Sequence, residues 1–150
     1  MKNMFEAARV EEVKQRVAQL RPDSERQWGT MNPAQVLDHC SRGFEMAAGQ
    51  IRPPRALLGR ILGPIIKPMA LKNDDPMHRN SPTAKELLVQ EERNFDVERE
   101  RLCGLMDRFV ATGPTGCTTH PHMFFGRLTP EEWAILQYKH MDHHLRQFGV

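Results

Sequence analysis

Apolar residues recur at helical spacing in several separate stretches of the chain. Val10, Val13 and Val17 fall on one side of a first helix over about residues 4–20, which must end before Pro22 because proline disfavours helical geometry in the residue that precedes it. The sequence therefore predicts a first amphipathic helix with one buried face.

Capping motifs predict where two further helices begin. "NPAQ" at 32–35 supplies an asparagine cap and a proline at the first helical position, and this second helix is expected to end near Gly49. "TPEE" at 129–132 supplies a threonine cap, a proline and a capping-box glutamate. It predicts a last helix that continues almost to the C-terminus.

A long third helix is predicted between these two, from around residues 81–83 to about Ala111. Its apolar stripe has a seven-residue interval, and "TGPTG" at 112–116 ends it. The stripe consists of Leu88, Phe95, Leu102 and Phe109.

No stretch alternates apolar and polar residues in the manner of a strand, so the expected fold class is all-α, a four-helix bundle. A length of 150 residues favours one domain, 1–150. The long crossover of residues 50–82 would let the second and third helices run parallel.

The crossover holds an apolar but interrupted segment, "ALLGRILGPIIKPMAL" at 56–71, which contains Pro64 and Pro68. Three interpretations remain: a cover over one end of the bundle, a dimerisation surface, or a membrane-surface element. The few basic residues favour a cover over a membrane element. The segment also predicts a homodimer.

Composition excludes several classes of function. The net charge is +2 and the charges are interspersed, which argues against a nucleic-acid partner. No run of about 18 apolar residues is present, so no membrane partner is expected. Three cysteines without CxxC spacing, and no export signal, predict reduced thiols in the cytoplasm.

The closing stretch "YKHMDHHLRQFGV" at 138–150 concentrates the candidate chemistry. On a helix of 100° per residue, His140 and His144 lie about 40° apart within the buried arc. His143 falls at the boundary, beside Lys139, which the same wheel places with Asp142 and Arg146 on the wet face. An inward i, i+4 histidine pair can share a metal ion or can simply be core residues.

A third ligand has to come from another helix, and His39 on the second helix is the best candidate. It lies on the flank of that helix's buried face, and Gly43, one turn later, would leave room beside its imidazole. Cys40 points into the core and is interpreted as a small hydrophobic residue.

Motifs at residues 28–40 and 120–149 resemble those of a known family. "WGTMNPAQVLDHC" at 28–40 with "HMDHH" at 140–144 resembles the DinB-like four-helix bundles, also grouped with the YfiT-type metalloenzymes. "HPHMFFGRLTPEEW" at 120–133 and "HMDHHLRQFG" at 140–149 are similar to an uncharacterised branch of that superfamily. The resemblance covers essentially the whole chain and implies a divalent metal ion held by His39, His140 and His144.

The resemblance implies a metal-dependent enzyme that acts on a small molecule. Zinc or nickel is favoured, and iron or manganese also suits three imidazoles. Three protein ligands leave one coordination position open, as in catalytic sites. Characterised relatives imply thiol-dependent S-transfer or isomerisation with a low-molecular-weight thiol, or hydrolysis. The alternative is a non-enzymatic, dimeric helical bundle whose metal is structural or absent.

Two glutamates add a separate hypothesis. Glu91 and Glu98 lie near the buried stripe of the predicted third helix, so one of them could partner an imidazole N–H or act as a general base. The favoured alternative is that both are charged flank residues. No role is assigned to His120 or His122, and Trp28 is expected to fasten the loop before the second helix.

Overall fold

Helices make up the regular structure of the chain. A computed structural model describes residues 1–79, 81 and 84–150, and in this part of the chain it contains five α-helices and no strand. The all-α prediction is confirmed, with one helix more than expected. The elements are α1 (Ala7–Gln19), α2 (Pro33–Ala47), α3 (Leu57–Leu71), α4 (Phe95–Thr112), a 3-10 turn (Gly113–Gly116) and α5 (Pro130–Gln147).

The predicted starts of α2 and α5 are confirmed. The Asn32 side chain accepts a hydrogen bond from the backbone N–H of Gln35, whose side chain accepts in turn from that of Asn32. Thr129 and Glu132 form the same reciprocal pair at the start of α5. Both capping boxes satisfy amides that a helix start leaves without partners, and they fix where these two helices begin.

The predicted start of the third helix is wrong by more than ten residues, although Pro82 and Thr83 themselves lie outside the described residues. The helix, α4, begins at Phe95, and the Asn94 side chain caps it. Carbonyls of the preceding segment serve as acceptors for side chains of α2 instead of for a helix. They are Glu86 O for Arg42, Leu87 O for His39 and Glu91 O for Gln35.

The sequence predicted a crossover segment broken by its prolines. Instead, Leu57–Leu71 form one helix, α3, that continues through Pro64 and Pro68. It packs through Gly59 and Gly63, where a Cβ atom would overlap the backbone of Phe124. Tertiary packing thus outweighs the helical hydrogen bonds that the prolines remove. None of the helices in the described residues has the length and hydrophobicity needed to cross a bilayer.

The last helix is more buried than its sequence pattern predicted. Lys139, expected on the wet face, is only 7% exposed, and its ammonium donates to the carbonyl oxygens of Ala70 and Asn73. Burial lowers its pKa. The helical wheel failed here because residues 70–73 cover a side of α5 that an isolated helix would expose to water.

A buried carboxylate joins α2 to α4 and to the segment between α3 and α4. Asp38 is 2% exposed and accepts hydrogen bonds from Arg42, Arg93 and Arg101. Burial alone would raise its pKa, but the hydrogen bonds from the three arginines lower it to about 2. The carboxylate therefore holds the base of α2 and the neighbouring segment in place.

Replacing Asp38 with Ala should destabilise the fold by roughly 3 kcal/mol, because three guanidinium groups lose a shared, buried partner. The control is Asp107→Ala, which removes an exposed ion pair with Lys14 and should cost about 1 kcal/mol or less. Urea unfolding followed by circular dichroism measures both. Equal losses in the two variants would contradict the assigned role of Asp38.

Candidate metal centre

Three histidines that lie far apart in sequence meet between α2 and α5. One ligand nitrogen each from His39, His140 and His144 lies within 4.8 Å of the others. The Nε2 atoms of His39 and His140 are 2.8 Å apart. Two ring nitrogens at this distance need a proton or a metal ion between them, because two lone pairs repel. The three histidines singled out by the sequence are thus brought together.

His39 is held by a backbone carbonyl. It is 3% exposed, and its Nδ1 lies 2.7 Å from the carbonyl oxygen of Leu87. A carbonyl only accepts, so Nδ1 must carry the proton and donate it. The Nε2 lone pair then faces the other two histidines, which is the orientation that metal-binding histidines commonly have.

His144 is held in the same way, by a side-chain amide. Its Nδ1 lies 2.9 Å from Gln147 Oε1, while Gln147 Nε2 donates to the carbonyl of Trp28. Gly29, at φ +81°, leaves room for this amide, because a Cβ there would overlap it. The loop before α2 therefore fixes the ring of His144 through Gln147.

His140 lies against Gly43 and Gln137. A Cβ on Gly43 would come 3.1 Å from His140 Nδ1 and 3.0 Å from Gln137 Oε1, so the glycine makes room for His140 and not, as the sequence suggested, for His39. Gln137 Oε1 is buried and has no hydrogen-bond partner among the described residues. It lies one turn before His140, where it can accept from Nδ1–H once Nε2 binds a metal.

Burial disfavours the charged form of all three imidazoles. Desolvation lowers the pKa of His39, of His140 and of His144, the last to about 3. The neighbouring histidines lower the pKa of His140 and His144 further, since each would repel a second positive charge. Neutral imidazole is the form that binds metal, so the lowered pKa values of the three histidines reduce competition by protons for these nitrogens.

The donor set fits one divalent ion. The three ligand nitrogens lie within 4.8 Å of one another, which is close enough for His39, His140 and His144 to hold one ion with bonds of about 2.0 Å. The orphaned Gln137 oxygen and the two oriented Nδ1–H groups supply the surrounding hydrogen bonds. Three protein ligands leave at least one coordination position for water or substrate.

A cavity of about 640 Å³ lies beside the three histidines, on the far side of His143. None of the three lines it, but the ring of His143 does and is centred 5.0 Å from that of His144. His143 packs edge-on against Trp28, whose ring carries the guanidinium of Arg79 at 4.2 Å. His140 retains some contact with solvent.

The two glutamates of the sequence hypothesis lie elsewhere. The carboxylate of Glu98 accepts from Arg101, and that of Glu91 pairs with Arg93. Neither makes a hydrogen bond to any of the three histidines. These ion pairs favour the alternative interpretation, in which both glutamates are structural charges of the α4 region.

Two glutamines were missed by the sequence analysis, and a turn histidine, His122, was named there without being assigned a role. Gln147 could have been found, because i, i+3 spacing sets it beside His144 on one helical face, and the same spacing links Gln137 to His140. His122 shapes the loop before α5, since its Nδ1 accepts from the backbone N–H groups of Phe124 and Phe125. Burial, aided by the charge of Arg55, lowers its pKa to about 4.

Gly43→Ala should weaken metal binding by about tenfold, because the new methyl group displaces His140 Nδ1 and the Gln137 amide that supports it. Gly104→Ala is the matched control, since it is also a helical glycine but has no atom within 4 Å of the added Cβ. Zinc affinity measured by competition with a chromophoric chelator tests this. Unchanged affinity in Gly43→Ala would contradict the assigned packing.

Comparison with known proteins assigns the chain to a family. The model of a family described as "Protein of unknown function (DUF1569)" matches residues 2–149, so the chain belongs to that family. No curated protein and no solved structure matches the chain. The expectation of an uncharacterised family is confirmed, and the family description assigns no activity.

Proposed function

For this member of a family of unknown function, we propose a metal-dependent enzyme that acts on a small molecule. One divalent ion would be held by His39, His140 and His144. The observation that carries the proposal is the convergence of three neutral imidazoles, two of which have their Nδ1 atoms committed to oxygen acceptors. This arrangement leaves the Nε2 lone pairs of His39 and His144 available to bind one shared ion.

A relationship to the DinB-like superfamily is part of this proposal. Its support is the chain order of the donors, with one histidine on α2 and an i, i+4 pair on α5, together with the sequence motifs. Zinc or nickel suits three neutral imidazoles best, and iron or manganese also fits. The four-helix core would consist of α1, α2, α4 and α5, with α3 as an addition.

An ion bound here would supply Lewis acidity at its open position, to activate water, a carbonyl or a thiol. The protein's own residues do the rest. Leu87 O and Gln147 fix the rings of His39 and His144, and burial lowers the pKa of His144 and so disfavours its protonation. Gln137 is the acceptor that would orient His140.

The proposed substrate class is inferred from a neighbouring cavity, which His143 separates from the three histidines. A cavity of about 640 Å³ is within the range of small-molecule sites, and its wall combines Trp28 and His143 with three arginines. We propose a small, polar substrate, with a low-molecular-weight thiol as cosubstrate on the strength of the DinB-like motifs. The cysteines are unpaired in the described structure, which suits the proposed cytoplasmic location.

Metal content of untagged protein tests the site itself. Wild type should carry about one divalent ion per chain, and His140→Ala should lose it, because two histidines hold zinc far more weakly than three. The control is His78→Ala, since that histidine is exposed and lies outside the three-histidine site. Metal that survives in His140→Ala, or that is absent from wild type even after titration, would contradict the site.

Cobalt substitution separates an enzyme from the non-enzymatic alternative. Cobalt(II) in an open site should bind added azide and change its visible absorption, because a solvent position is exchangeable. A closed, structural site would give a spectrum that azide leaves unchanged, and that result would favour the structural bundle. His78→Ala should respond as wild type does, since it removes an exposed histidine and keeps all three ligands.

A further inference from the structure

Helix α3 presents its large apolar side chains to water. Five of them form an outward stripe, each 59–75% exposed. At 100° per residue they share one face of the helix. The stripe consists of Leu57, Leu58, Ile61, Ile65 and Met69.

The direction of this outward stripe is fixed by the opposite face. Gly59 and Gly63 are buried, and a Cβ on Gly59 would come 2.6 Å from the Cα of Phe124. A half-turn of the helix would drive isoleucine and leucine side chains into that backbone. The outward stripe is therefore a built-in feature of the fold, not an accident of a loose segment.

Both ends of α3 are fastened to the body. The N–H of Ala56 donates to the carbonyl of Met123, and the ammonium of Lys139 donates to that of Ala70. Between them, Lys67 donates to the carbonyl of Arg127 and pairs with Glu132 at the start of α5. The helix is thus held as a firm platform whose apolar side has no partner in the described chain.

The size of the outward stripe favours a protein partner. Its five side chains expose on the order of 600 Å² of apolar surface, the upper end of what ordinary monomers leave uncovered. A stable interface takes about 800 Å² from each partner. Ile66, 36% exposed at the edge of the stripe, and its neighbours would supply much of the remainder.

The distribution of charge around the outward stripe favours a second copy of the chain as its partner. Residues 46–73 contain no acid, so Arg60 has no opposite charge on its own segment. A two-fold axis through the middle of α3 would set Arg60 of one copy opposite Lys67 of the other. Because Lys67 is already paired with Glu132, with Glu131 exposed beside it, Arg60 would meet a carboxylate there.

We propose that the outward stripe of α3 is a homodimer interface. Two copies would pack antiparallel through Leu57, Leu58, Ile61, Ile65 and Met69, with Arg60 of each copy facing the Lys67–Glu132 pair of the other. The interface is isologous, as in most homodimers, and the two-fold symmetry leaves no exposed copy of the apolar stripe to bind further chains. It does not depend on a bound metal.

Sedimentation equilibrium on metal-free and metal-loaded protein tests this inference. Wild type should have twice the chain mass of 17.3 kDa at micromolar concentration in both forms. Ile65→Asp should weaken dimerisation by about 30-fold or more, since it buries an unpaired charge at the centre of the contact. Val97→Asp, which alters another exposed apolar residue on α4, should leave the dimer intact.

A second pair of variants tests the charge argument. Arg60→Glu should weaken dimerisation by about tenfold. Arg21→Glu, an equal change of charge at an exposed residue just beyond the end of α1, should not. A wild-type monomer at about 100 micromolar overturns the proposal. So does a monomer that sediments with phosphatidylglycerol vesicles through Ile65, which would assign the outward stripe to a lipid surface.

Discussion

Three largely buried imidazoles, whose ring nitrogens meet between α2 and α5, are the constraint on which the rest of the structure depends. Leaving three lone pairs together in a dry site is unfavourable unless an ion or a proton joins them, and each ring must also satisfy its second nitrogen. The carbonyl of Leu87 and the amide of Gln147 provide this for His39 and His144. The surrounding chain is arranged to present these two acceptors.

That requirement explains the irregular parts of the fold. The segment before α4 gives up helical hydrogen bonds so that its carbonyls can meet His39, Arg42 and Gln35. The Asp38 network secures the same segment from the other side through Arg93. The loop at Trp28 likewise reaches the site through Gln147, and α3 packs on the turn that His122 shapes.

Local signals predicted what local physics determines. The caps of α2 and α5 and the i, i+4 histidine pair could be identified from the sequence, because each depends on residues within one or two turns. The start of α4, the burial of Lys139 and the helical state of α3 could not be. Each depends on a segment that is distant in sequence. Side chains of α2 bind the carbonyls before α4, and residues 70–73 cover α5. The backbone of Phe124 packs closely against two glycines of α3.

One divalent ion is proposed to be held by three imidazole nitrogens and by no other group of the chain. X-ray absorption at the zinc edge tests it most directly, because bound imidazoles give a characteristic scattering pattern. The predicted result is three imidazole nitrogens at about 2.0 Å with one or two further oxygen scatterers from solvent. A sulfur ligand near 2.3 Å, or fewer than three imidazoles, would contradict the account.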